Sequence, residues 1–135
     1  MYYHFAVTVP AGTTEVSPVT EILKLTAGVI HDVSIRFAAG CRHYVYLKLL
    51  HQEHQVWPTN PEQAFRGENI LIPIKEYYPL TTEPFSLKAV AYAPNTIYDH
   101  TLRINVGLLT EEELEPLKEL PQKFTDFFKL LGVKV

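Results

Sequence analysis

Two-residue alternation constrains this chain more than any other feature. From Val29 to Phe37, Val29, His31, Val33, Ile35 and Phe37 fall on one face, and Ile30, Asp32, Ser34 and Arg36 on the other. Successive side chains of a strand point to opposite faces, so the run predicts a β-strand. Cys41 to Leu50 repeats the pattern, with Cys41, His43, Val45, Leu47 and Leu49 on one side and Arg42, Tyr44, Tyr46, Lys48 and Leu50 on the other. Only Ala38-Ala-Gly40 separates the two runs, which predicts a hairpin.

The same period marks Tyr2–Val9, Phe85–Tyr92 and Thr101–Leu108, the last with Leu102, Ile104, Val106 and Leu108 facing inward. Val19–Thr26 reads as a short helix or a strand, with Thr20, Ile22 and Thr26 favouring strand. Asn69–Ile74 is a further strand. Pro73 has no N–H to give a ladder, which places that strand at a sheet edge or on a bulge. Glu76–Leu80 continues it irregularly.

After Leu109 the period changes. Thr110-Glu-Glu-Glu113 is a capping box, in which the threonine oxygen accepts from the third helical N–H. Pro116 and Pro121 interrupt the run. From Pro121 to Leu131, Phe124, Phe127, Phe128 and Leu131 share one helical stripe. The fold class expected is therefore all-β: a two-sheet antiparallel β-sandwich with jelly-roll-like connections over residues 1–109, followed by a C-terminal helical extension over 110–135.

Composition narrows the function. A chain of 135 residues with 47% hydrophobic residues buries a core without help from metals or disulfides. One cysteine, Cys41, excludes an intrachain disulfide. A net charge of −3 gives no electrostatic case for nucleic acid. The opening Met-Tyr-Tyr-His-Phe has no basic n-region, so no signal peptide is expected, and no run reaches the ~20 apolar residues of a membrane helix.

The candidate chemistry is sparse. His51 and His54 form an H-x-x-H pair, but zinc needs three or four convergent ligands, and Cys41 and His43 stand on a separate run; no metal is expected. Asp99-His100 lacks a nucleophile motif and reads as a turn into the next strand. Glu111, Glu112, Glu113, Glu115 and Glu119 lack the calcium-loop glycine and read as a solvated helix start. The glycines are scattered, so no phosphate-cradling loop and no cofactor is expected. Trp57, Tyr77, Tyr78 and Tyr98 are flat rings that suit either loop anchoring or stacking on a sugar face.

The stretch His51–Leu80 holds the only tryptophan. Pro58 and Pro61 fix its loop, and Trp57 is expected to be at least half buried at one end of the sandwich, pinning that loop. Here the chain resembles a known group. His54-Gln-Val-Trp-Pro-Thr-Asn-Pro61, then Arg66-Gly67, Glu76-Tyr-Tyr78 and Asn95-Thr-Ile-Tyr-Asp-His-Thr101 resemble the H-Q-x-W-P-x-N-P loop and Y-D-H turn of small β-sandwich virion proteins of tailed-phage-like particles. Val9-Pro-Ala-Gly-Thr-Thr14 also fits. The resemblance covers roughly 11–109, stops before the helical extension, and brings no catalytic residue with it.

It implies a non-enzymatic structural role in a virion assembled in the host cytoplasm, as a capsid decoration protein or a tail or spike module. The partners implied are other copies of the chain and other virion proteins, with no nucleic acid and no membrane. The expected contact residues are Phe124, Phe127, Phe128 and Leu131, with Trp57 and Tyr77 shaping a loop end. The alternative is a glycan-binding module that uses Trp57, Tyr78 and Tyr98 on a host-surface glycan.

Overall fold

The structure, a computed structural model, describes residues 1–114 and 129–132. The strands are β1 (Tyr2–Val9), β2 (Val19–Lys24), β3 (Gly28–Phe37), β4 (Tyr46–His51), β5 (His54–Trp57), β6 (Ile70–Ile74), β7 (Tyr78–Leu80), β8 (Ser86–Tyr92) and β9 (His100–Leu109), followed by one helical turn, α1 (Glu111–Leu114). They form two antiparallel sheets. One has the order β1-β9-β3-β6, with β7 pairing β3 beyond the end of β6; the other has the order β2-β8-β4-β5. The chain is an all-β sandwich.

The alternation read from the sequence is what builds the core. Leu102, Ile104, Val106 and Leu108 of β9 meet Val33, Ile35 and Phe37 of β3 and Leu47, Leu49, Leu87 and Ala89 of the facing sheet, all fully or almost fully buried. The segment Val19–Thr26 is a strand over Val19–Lys24, and β6 lies at a sheet edge, one of the two places Pro73 allows. Among the described residues, no buried side-chain nitrogen or oxygen lacks a hydrogen-bond partner.

Two expectations are corrected. Val29–Phe37 and Cys41–Leu50 are not a hairpin: β3 and β4 belong to different sheets. Arg42 and His43 both have left-handed backbones (φ 50° and 62°), which turn the chain out of one sheet before β4 begins at Tyr46. His31 does not face the core. A register shift between Ile30 and Asp32 takes it out of phase, and its ring meets the outward-facing Tyr2 edge-on at 5.8 Å. The hairpin that does form joins β4 to β5 through Gln52-Glu53, both at positive φ, a turn that the composition does not advertise. Lys88 holds Glu53 at 2.6 Å, and the Gln52 amide reaches the Glu83 carbonyl.

The capping box forms in part. Thr110 Oγ1 accepts from the Glu113 N–H at 3.3 Å, and the Glu113 carboxylate pairs with the Met1 amine at 3.2 Å. Of the proposed helical stripe, Phe124, Phe127 and Phe128 lie outside the described residues. Leu131 is half-buried, and its neighbour Gly132 lies beside Pro79 of β7, the position of a Cβ on it being 3.9 Å from Pro79 Cγ.

Candidate functional site

The aromatic residues singled out in the sequence separate into two groups. Trp57 and Tyr78 pack together. Trp57 is 2% exposed, as its anchoring role requires, and donates its indole N–H to Glu76 at 3.0 Å; its ring meets Tyr78 edge-on at 5.6 Å. Trp57 is thus left with little surface to offer a sugar or a subunit, whereas Tyr78 stays partly exposed. Burial pushes the Tyr78 phenol up. Beside them, the Gln55 side-chain amide donates to the carbonyls of Pro58, Asn60 and Gln63 at 2.8, 3.1 and 3.1 Å, which ties the proline loop to β5.

His51 belongs to the same structural cluster. It is 6% exposed; Nε2 donates to the Pro84 carbonyl at 3.1 Å, and Nδ1 lies 3.0 Å from the Tyr78 hydroxyl. Both ring nitrogens are engaged, and His54 across the turn faces solvent. Among the described residues no group of three or more His, Cys, Asp or Glu side chains converges as a metal site. Tyr77 is half exposed at the approach to β7.

Tyr98 stands elsewhere. It precedes β9 by two residues, whereas Tyr78 pairs Ile30, which also pairs Leu108 near the other end of β9. At ~3.3 Å per residue the two tyrosines are on the order of 25 Å apart along the sandwich. What joins Tyr98 is the β3–β4 connection. Gly40, Cys41, Arg42 and Tyr44 form one wall of a cleft of about 670 Å³, and Asn95, Ile97, Tyr98 and Asp99 form the other. Ile97 is 81% exposed, Tyr98 71% and Tyr44 47%.

Both walls are braced. The Glu68 carboxylate accepts from the Gly40 and Arg42 N–H groups at 2.8 Å each, capping the left-handed pair. Those hydrogen bonds, the Arg42 one foremost, hold the Glu68 carboxyl below its usual range, aided by the Arg42 and His43 charges. Opposite, Asp99 accepts from the Ala11 N–H at 2.9 Å, and Thr96 accepts from the Gly12 N–H at 3.3 Å and donates to the Ala93 carbonyl at 2.8 Å. The loop before β2 thus anchors the loop before β9.

At the floor, Cys41 Sγ lies 3.9 Å from His100 Nδ1. The sequence separates these two by most of a domain and gave no sign that they meet. The pair resembles a thiol with its base, but the chemistry runs the other way. The Cys41 side chain has no exposed surface, and burial, reinforced by the Glu68 charge, raises the thiol pKa. A nucleophilic cysteine needs access and a lowered pKa. The Asp99 carboxylate beside His100 is spent on Ala11. Sequence reasoning also missed Tyr44 and Arg42 as cleft residues, because a strand assigned to Cys41–Leu50 left no loop there.

No family model matches the chain, and no curated protein matches it. Solved structures that resemble it in outline include the following two. One is the crystal structure of FlhE, 14% identical with a TM-score of 0.37, the match covering 78% of this chain and 94% of that one. The other is a structure of infectious bursal disease virus, Gt strain, 14% identical with a TM-score of 0.30, covering 77% of this chain and 29% of that one. Likeness at this level does not bear on function.

Proposed function

We infer that the chain is a non-enzymatic structural component of a phage-like particle, a capsid decoration protein or a tail or spike module, working through contacts with other subunits. One observation carries the reading. Ile97 and Tyr98 are the most exposed large apolar side chains of the cleft end, and they sit on a loop held in place by Asp99, Thr96 and the Ala11–Gly12 backbone. An apolar tip on a braced loop is prepared for a partner, since little ordering remains to be done on binding. Meanwhile the groups that do chemistry elsewhere are committed internally: His51, Cys41, Glu68, Glu76 and Asp99 all hold structure.

The strand order supports the reading by analogy. A five-strand and a four-strand antiparallel layer, with β1 to β4 alternating between them, are compatible with a jelly-roll-like sandwich, an architecture that recurs in viral capsid and lectin domains. The second reading, a glycan-binding module, is favoured by Tyr44 and Tyr98 on one cleft with Arg42 and Asn95 between them, a set different from Trp57, Tyr78 and Tyr98. The test is to replace Ile97 and Tyr98 with serine and follow both uptake into particles and binding to a glycan array. Loss of uptake supports the particle role. Unchanged uptake with lost glycan binding supports the second reading, and an unchanged variant in both assays removes the cleft from function.

A further inference from the structure

Five of the described strands stand at sheet edges, and four of them are protected. β6 carries Pro73, β7 has only three residues and carries Pro79, β2 carries Glu21 and Lys24 on a short run, and β5 has only four residues. Charges, proline and brevity are the devices that keep a sheet edge from pairing with another chain. β1 has none of them. It is eight residues long, Tyr-Tyr-His-Phe-Ala-Val-Thr-Val, with no Pro, Gly, Lys, Arg, Asp or Glu, and it pairs β9 in unbroken register from Tyr2↔Gly107 to Val9↔His100.

The hydrogen bonds say which of its backbone groups are left over. Met1 and Leu108 exchange both bonds, at 2.8 and 2.7 Å. Antiparallel ladders alternate, so Tyr3, Phe5, Val7 and Val9 bond β9, whereas Tyr2, His4, Ala6 and Thr8 direct their N–H and C=O groups away from β9, to the side where no other described strand lies. The side chains of these four are exposed on the outer face. On the inner face, Tyr3 and Phe5 stack with ring planes 5° apart and centroids at 6.2 Å, only partly covered at the margin of the core.

We propose that a second copy of this chain docks antiparallel on β1, joining two sandwiches through one continuous sheet. A two-fold axis at Phe5 pairs Tyr2 with Thr8 of the second copy and His4 with Ala6, and the symmetric pairs follow. All four residues then sit at hydrogen-bonded positions, so that every outward N–H and C=O of Tyr2, His4, Ala6 and Thr8 is satisfied. The same register sets Phe5 against its own copy and Tyr3 against Val7 on the inner face, covering the partly exposed rings. Shifting the register by one residue would oppose bonded positions to non-bonded ones, and shifting it by two leaves unpaired groups at each end.

The proposal rests on the assembly reading above and names its surface and partner. Its test is the mass of the purified chain in solution beside that of Ala6→Pro. The Ala6 N–H points away from β9, so proline removes only an outward donor, and edge strands tolerate it there. The expected result is a dimer for the parent and a folded monomer for the variant, with an unchanged circular dichroism spectrum. Should Ala6→Pro fail to fold, Ala6→Lys applies the same test with a charge. Phe5→Cys fixes the register: facing positions at a non-bonded antiparallel pair lie ~4.5 Å apart, within disulfide reach, so Phe5→Cys should cross-link under oxidation and Tyr3→Cys should not. A monomeric parent at high micromolar concentration, a folded edge variant that remains dimeric, or cross-linking through Tyr3→Cys instead overturns the proposal. A monomer that still enters particles refutes this dimer and leaves the particle role standing. A β1 dimer that no particle takes up does the reverse.

Discussion

Trp57→Ala separates a core anchor from a ligand platform. The side chain is 2% exposed, touches Tyr78 edge-on and donates to Glu76. Removing a buried aromatic of this kind costs about 3–5 kcal/mol, part lost transfer energy and part cavity. Unfolding entropy near 2.1 cal/mol/K per residue gives a 135-residue chain about 0.28 kcal/mol/K, so the melting temperature should fall by roughly 10–18 °C. Trp57→Phe keeps most of the ring and loses the indole donor. Glu76 is exposed and rehydrates, so the cost should be about 1–2 kcal/mol, a drop of roughly 4–7 °C. The assay is differential scanning calorimetry of the three proteins at one pH, with a glycan array run in parallel. If Trp57→Ala melts within a couple of degrees of the parent, the packing argument is wrong. If that variant also loses binding to a sugar, the ring is a ligand platform after all.

Three further outcomes are expected. Glu68→Gln should destabilise the protein at neutral pH and cease to matter in acid. The folded carboxyl is held below its usual range, so its contribution is present above the unfolded pKa and lost as pH falls through the folded one; melting curves of parent and variant from about pH 7 to about pH 3 should converge at the acid end. His51→Phe leaves the Pro84 carbonyl and the Tyr78 hydroxyl without their partner in a half-buried corner, which should cost about 1–3 kcal/mol in urea unfolding, and a silent variant would show that water replaces the ring. Tyr98→Ala removes a 71% exposed ring, so stability should stay within about 0.5 kcal/mol while partner binding weakens; a large stability loss would put Tyr98 in the fold and not in the contact.

The sequence by itself determined most of the strands, though not β5 or the start of β4, and for β9 the face it turns inward. Period two is a property of the backbone, so Leu102, Ile104, Val106 and Leu108 could be assigned to a core before any partner was known. Pro73 likewise narrowed its strand to an edge or a bulge, because a missing N–H is a local fact. What strands pair with is not local. β3 and β4 look like a hairpin in the sequence and belong to opposite sheets because Arg42 and His43 adopt left-handed backbones. That conformation is held by the carboxylate of Glu68, which is far along the chain and bonds the Gly40 and Arg42 N–H groups. The bulge at Ile30/Asp32 that expels His31 answers to the register of β9 and to no residue of β3. The cleft follows the same logic. Tyr98 was visible as an aromatic in a loop, but Tyr44 joined it, and Cys41 met His100, only when two connections from different sheets closed over one end of the sandwich.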